Sequence, residues 1–323
     1  MALLQVENLK KYYPAPSPWF GPKRFVRALD DVSFELEKGE TLGLVGESGC
    51  GKSTLARQLI RLEDPTDGKI FLDGIDMGSL RGENLRKMRG SFQMIFQDPY
   101  ASLNPRMSVY NALEEALKLH TQLDSAGRSK RIAELLDMVG LKPEHARRYP
   151  HQFSGGQRQR IGIARALAVN PRFIVADEPV SALDVSVQSQ IVNLLQDIQK
   201  ETGVAFLFIA HDLAVVEHIS HRIMVMYLGK IVEHGPAKEL CADPAHPYTR
   251  ALLASAPSVR PEKKVERIIL KGDVPSPLDP PAGCRFHTRC PFAKPICAEK
   301  EPVLTGISGS NVHTCACHFP YIK

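Results

Sequence analysis

The chain has 323 residues, 43% of them apolar and 24% charged, with a net charge of +5. That length can bury a full core and leave an appendage, and a charge this mild does not by itself indicate nucleic acid. No apolar run reaches the roughly 18 residues that a spanning helix needs, and the segment from Met1 to Glu7 has no basic region ahead of its apolar stretch and no cleavage motif. The protein is therefore expected to be cytosolic, with any membrane attachment made through a partner.

Strand-like runs are predicted at 4–7, 32–36, 42–45, 70–72, 91–96, 173–176, 205–210 and 223–226, with helical patterns between several of them. Strands alternating with helices predict an α/β layer with a parallel sheet. Between Gln97 and Asn170 the pattern changes to helical segments at 111–120, 128–139 and 156–169, read as a helical insertion. From Pro257 the composition shifts to a proline-rich, loop-rich tail with little core of its own. Five of the seven cysteines crowd that tail. In a reducing compartment this suggests a metal site rather than disulfides.

Gly46-Glu47-Ser48-Gly49-Cys50-Gly51-Lys52-Ser53-Thr54 is a P-loop between a predicted strand and a predicted helix. Its small residues let backbone N–H groups close on phosphate oxygens at a helix N-terminus. Lys52 can then reach the β- and γ-phosphates, and Ser53 can ligate Mg²⁺. The chain is thus predicted to bind a nucleoside triphosphate. The apolar run Phe173-Ile174-Val175-Ala176 delivers Asp177-Glu178. Asp177 can hold Mg²⁺, and Glu178, one residue on, can polarise an attacking water. Phe153-Ser154-Gly155-Gly156-Gln157 reads as a second phosphate-binding helix start, with Ser154 as N-cap, although an ordinary capped helix would carry the same residues.

These residues resemble the signature motif of ATP-binding cassette (ABC) ATPases, and the resemblance extends from residue 1 to about 255. Gln97 matches the family's Q-loop, the segment from Ser181 to Asp184 its D-loop, and His211 its switch histidine. Tyr13 lies where the family stacks an aromatic ring on adenine, with Tyr12 the lesser choice. The resemblance implies a RecA-like core with a mixed sheet, a helical subdomain at about 98–169, and a Cys-rich extension at 256–323. It implies ATP and Mg²⁺ as ligands, with Ser53, Gln97 and Asp177 about the metal, Glu178 as base, Lys52 as charge stabiliser and His211 as γ-phosphate sensor. Two cassettes are expected to dimerise head to tail, so that Ser154, Gly155, Gly156 and Gln157 act on the ATP held by the partner's P-loop.

The segments His246-Pro247-Tyr248-Thr249-Arg250, Tyr149-Pro150-His151-Gln152 and Met226-Tyr227-Leu228-Gly229 resemble the dipeptide and oligopeptide permease ATPases. That likeness implies an importer at the cytoplasmic face of a bacterial inner membrane. Its partners would be a second ABC ATPase, two membrane subunits and a periplasmic or lipid-anchored peptide-binding protein, with no nucleic acid. An importer for nickel or another small solute, and a soluble ABC ATPase of repair or translation, are the alternatives.

Four thiolates in the tail can bind zinc or a four-iron cluster, or stay free. Paired C-x₂₋₄-C knuckles are absent, since five residues separate Cys284 from Cys290 and six separate Cys290 from Cys297. The permease resemblance favours a [4Fe-4S] cluster over zinc and selects Cys317 over Cys315 as its fourth ligand. No active-site motif lies in the tail, so ATP chemistry is expected to persist without it, at least in part.

Overall fold

The computed structural model describes residues 2–16, 23–255, 270, 272–307 and 309–321. The compositional shift near Pro257 lies outside the described residues. In chain order the strands and helices are β1 (Leu4–Ala15), β2 (Arg24–Leu36), β3 (Thr41–Val45), α1 (Lys52–Leu59), β4 (Asp67–Leu72), β5 (Ile75–Asp76), α2 (Gly82–Met88), β6 (Phe92–Ile95), α3 (Val109–His120), α4 (Ser125–Met138), α5 (Gly155–Leu167), β7 (Phe173–Asp177), α6 (Val185–Thr202), β8 (Ala205–Ile209), α7 (Leu213–Ile219), β9 (Arg222–Tyr227), β10 (Lys230–Pro236), α8 (Ala237–Ala242), α9 (Pro247–Ser255), α10 (Pro295–Glu299), β11 (Thr305–Ile307) and β12 (Ser310–Cys315). The backbone forms two compact units, one of residues 37–41 and 79–209, the other of 2–36, 42–78 and 210–323.

In the first unit β6, β7 and β8 run parallel, with Phe92 opposite Phe173 and Phe173 opposite Ala205. Every residue of β7 and β8 is buried, as expected for a parallel sheet covered on both faces. Ahead of them, α3, α4 and α5 pack on one another through Leu113, Leu117, Ile132, Leu135 and Ile161. The starts of two of these helices are written in the sequence. Ser108 accepts from the N–H of Asn111 at 3.3 Å, and Asp124 from Gly127 at 2.7 Å, each satisfying an otherwise unpaired first-turn donor.

In the second unit an antiparallel sheet has the order β2-β1-β4-β5, and a separate run has the order β11-β12-β10-β9-β3. There β3 pairs in parallel with β9, and β9 turns back antiparallel into β10. The tail strand β12 pairs with β10, through Glu233 opposite Cys315 and His234 opposite Thr314. Phe286 of the tail is 1% exposed and joins the core of this unit.

Candidate functional site

The second unit carries the P-loop. Gly51 has φ 113°, and a Cβ there would strike the carbonyl of Ala28, so only glycine fits the turn into α1. No side chain caps that helix start, which leaves its first N–H groups pointing at the loop. The Lys52 side chain is buried, and its Nζ donates to Gly46 O at 2.7 Å and Glu47 O at 3.1 Å. Burial pushes the Cys50 thiol up, so it stays protonated inside the loop. Tyr13 donates to the Glu63 carboxylate and also contacts Thr54 of the P-loop, which puts its ring beside the nucleotide-binding loop. Tyr12 is committed elsewhere, donating to Asp30. Burial, followed by that bond to Asp30, raises the Tyr12 phenol to about 12. His211 is exposed, immediately before Asp212, which caps α7 by accepting from Ala214 N–H at 2.9 Å.

The first unit carries the acidic and signature residues. Asp177 ends β7 and is buried. Glu178 follows with φ 46°, a left-handed conformation that costs a non-glycine residue of order 1 kcal/mol or more. Its N–H donates to Ile209 O at 2.9 Å, and its carboxylate accepts from Gln97 Nε2 at 3.1 Å. Two residues predicted for one site, 81 positions apart in sequence, are therefore in contact. Ser181 binds the Glu178 carbonyl at 3.1 Å, which ties the D-loop segment to the same residue.

Ser154 caps α5, accepting from Gln157 N–H at 3.3 Å, while Gln157 Oε1 accepts from Ser154 N–H at 3.1 Å. This reciprocal box orders the signature helix start. Gly156 also has a packing role that the sequence did not reveal, since a Cβ there would come within 2.5 Å of Val187 on α6. Arg158 of the same helix lies 3.6 Å from the centre of the Tyr100 ring, joining the signature segment to the one that follows Gln97.

The tail does carry a residue in contact with the P-loop. Arg289 pairs with Glu47 through Nη1 to Oε2 at 2.6 Å and Nη2 to Oε1 at 3.1 Å. Nothing in the sequence signals this contact between residues 242 positions apart. Arg285 is likewise buried, donating to Asp30 and to Leu228 O. Burial alone would raise the Asp30 carboxyl, but the Tyr12 hydroxyl and then Arg285 outweigh it and hold the pKa down. Tyr248 accepts the Glu47 N–H at 2.8 Å.

Cys284, Cys290, Cys297 and Cys317 line one small cavity together with Phe286, Phe292 and Phe319. Burial pushes the Cys284 thiol up to about 11. The Cys317 thiol is pulled below the usual range because Cys315 hydrogen-bonds to it. Among the described residues, no three His, Cys, Asp or Glu side chains gather closely enough to hold a single metal ion.

Residues 29–181 match the family model described as ABC transporter, and residues 232–297 match the oligopeptide/dipeptide transporter C-terminal region. The oligopeptide transport ATP-binding protein AppF of Bacillus subtilis is 54% identical over 98% of this chain and 97% of its own length. The dipeptide transport ATP-binding protein DppF of Escherichia coli is 50% identical over 96% of this chain and 93% of its own. Among solved structures, the ATP-binding cassette MJ0796, a dimer bound to ADP and Pi, superposes with TM-score 0.64 at 30% identity, covering 72% of this chain and 98% of that one. CbiO1 of Clostridium perfringens, part of an ABC transporter complex, gives TM-score 0.65 at 29% identity, covering 75% and 91%. With a P-loop, a capped signature helix and a Gln97–Glu178 contact on a fold shared with solved cassettes, this chain belongs to the ABC transporter family of ATP-binding proteins.

Proposed function

We propose that this chain is the ATP-hydrolysing subunit of an ABC importer for dipeptides or oligopeptides. The observation that carries the reading is the contact between Gln97 and Glu178 at the end of β7, since it gives a general base a defined partner and orientation. Glu178 takes a proton from the attacking water. Lys52, which already bonds loop carbonyls, neutralises charge developing on the β- and γ-phosphates, while His211 contacts the γ-phosphate. Tyr13 stacks on adenine, and the loop of Gly46, Glu47, Ser48, Gly49, Cys50, Gly51, Ser53 and Thr54 cradles the phosphates. Ser53, Asp177 and Gln97 would hold Mg²⁺, which supplies charge neutralisation between the phosphates.

Ser154, Gly155, Gly156 and Gln157 complete the site of a second ATPase subunit, a pairing supported by the dimeric cassette among the structural relatives. Two membrane subunits dock around the Q-loop, where Phe96 and Tyr100 are 40% and 63% exposed. The attachment is peripheral, at the cytoplasmic face, a placement supported by the transport ATP-binding relatives; no helix among the described residues is long and apolar enough to cross a membrane. Peptide as solute is supported by the match of residues 232–297 and by the names of the relatives, not by any residue that reads a peptide.

Residues 1–255 form the ATPase domain, with the helical subdomain at about 98–169, and 256–323 the Cys-rich extension. The tail thiols Cys284, Cys290, Cys297 and Cys317 would hold a [4Fe-4S] cluster, with zinc the alternative. The support is that four thiols line one small cavity, together with His246, His287, His318 and three phenylalanine rings. When bound, the cluster supplies a cross-link among four tail segments.

Glu178→Gln should retain ATP binding and stop turnover in a complex whose partner site is also disabled. Near wild-type hydrolysis there would remove Glu178 as base. Failure to co-purify with membrane subunits, or uptake of nickel in place of peptide by the reconstituted complex, would overturn the importer reading.

A further inference from the structure

The P-loop is held from behind by residues far away in sequence. Glu47, its second residue, is held at each of its polar groups: its N–H donates to Tyr248 Oη at 2.8 Å, its carbonyl accepts from Lys52 Nζ at 3.1 Å and from Cys50 N–H at 3.2 Å, and its carboxylate receives both arms of Arg289. The Arg289 side chain is only 8% exposed, against 27% for Glu47, so the pair is shielded on the arginine side. A guanidinium fork fixes the orientation of a carboxylate as well as its position, which a single hydrogen bond does not.

Arg289 is itself immobilised. The turn that carries it is closed by His287 N–H to Cys284 O at 2.9 Å, Arg289 N–H to Phe286 O at 3.0 Å and Cys290 N–H to His287 O at 3.3 Å. Phe286 locks the turn into the aromatic cluster, 5.3 Å from the Tyr227 ring and 5.4 Å from that of Tyr248. Cys284 and Cys290 bracket the turn and line the thiol cavity. The chain from thiols to turn to Arg289 to Glu47 is thus continuous, with both Nη atoms of Arg289 engaged and its Nε buried without a hydrogen-bond partner.

We propose that Arg289 is a positioning residue for the P-loop, so that nucleotide affinity depends on the state of the Cys-rich tail. The inference rests on the ATP-binding reading above. Arg289 does not act on the nucleotide by its own charge. It fixes Glu47, and with it the path of the chain into Ser48, Gly49 and Cys50, whose N–H groups must converge on phosphate. Whatever loosens the turn at 284–290 is then read out as weaker nucleotide binding.

The test is equilibrium binding of a fluorescent ATP analogue with Mg²⁺ to the full-length chain in a double-mutant cycle. Arg289→Ala is expected to weaken binding about tenfold, within the usual span of coupling between sites. Arg289→Lys should recover only part of the loss, because an ammonium cannot form the fork. In a Glu47→Ala background, Arg289→Ala should cost nothing further. Unchanged affinity in Arg289→Ala, or an equal loss in both backgrounds, overturns the proposal. Should Arg289→Ala fail to fold, Glu47→Gln breaks the charge pair from outside the tail, and unchanged affinity in that variant overturns it equally. A wild-type chain that does not bind the analogue refutes the ATP reading itself, a separate result.

Discussion

Phe286→Ala is the sharpest probe of how the tail is anchored. The ring is 1% exposed and lies 5.3, 5.6 and 5.4 Å from the rings of Tyr227, His246 and Tyr248. Truncating a buried phenylalanine costs about 3–5 kcal/mol, as the lost transfer energy plus the cavity left behind. Three aromatic neighbours, the Tyr227 ring edge-on and the other two tilted, favour the upper half of that range, since a well-oriented aromatic pair adds about 0.5–1.5 kcal/mol beyond burial. Taking about 4 kcal/mol, and about 2–4 °C per kcal/mol for a unit of roughly 200 residues, the melting transition should fall by roughly 8–16 °C. Thermal unfolding followed by near-ultraviolet circular dichroism reads it, because two of the neighbours are tyrosines. Phe292→Ala is the control: that ring is 56% exposed, and its removal should stay within about 0.5 kcal/mol. A fall under about 3 °C for Phe286→Ala, or equal falls for both variants, would refute the docked tail.

Three further outcomes follow from particular contacts. Burial holds the His246 imidazole down at about 4 against the opposing pull of the Glu233 carboxylate, so between pH 6.5 and 4 the unfolded chain binds the extra proton. Stability is then complete above about pH 6.5 and falls by about 3 kcal/mol as the pH drops to 4. His246→Asn should flatten that slope in urea titrations, and an unaltered slope would count against it. Ser154→Arg removes the cap of α5, yet ATP binding by the isolated subunit should survive; an affinity as poor as that of Lys52→Ala would contradict a signature that serves the partner's nucleotide. Anaerobically purified protein should contain iron and acid-labile sulfide, both lost in Cys317→Ser and kept in Cys315→Ser, where a hydroxyl can still donate to Cys317. Stoichiometric zinc without iron would reject the cluster, and the absence of both metals would reject the metal site.

The sequence was most legible where one physical constraint dominates. The apolar run 173–176 of β7 and the apolar strand β8 read as buried because a parallel strand covered on both faces admits little else. The P-loop, Ser154 and the Asp177-Glu178 pair read directly because phosphate binding and helix capping demand particular residues at fixed spacing. The strand β10 went unseen, since Lys230, Glu233, His234, Gly235 and Pro236 give it no alternating pattern. Its burial comes from pairing on both sides, with the Glu233 carboxylate satisfied by the N–H groups of Ala245 at 2.7 Å and His246 at 2.9 Å. The Arg289–Glu47 and Arg285–Asp30 pairs were equally silent, because a long-range ion pair leaves no local trace in a chain where surface arginines are common. Gly156 was read for phosphate access, whereas close approach of Val187 accounts for it independently.

Pairing of β12 with β10 gives the tail a second duty. Cut at residue 255, the chain would lose the partner of a seven-residue strand, including the Ala316 N–H to Val232 O bond at 2.8 Å and the His313 contact to Glu233 at 2.8 Å. Its unpaired amides and carbonyls would form a sheet edge open to strands of other molecules, the usual route to aggregation. With the tail in place, the outermost strand of that run is the three-residue β11, too short to template such growth. Insolubility of a truncated cassette would therefore report an uncovered edge, quite apart from any loss of ATP chemistry.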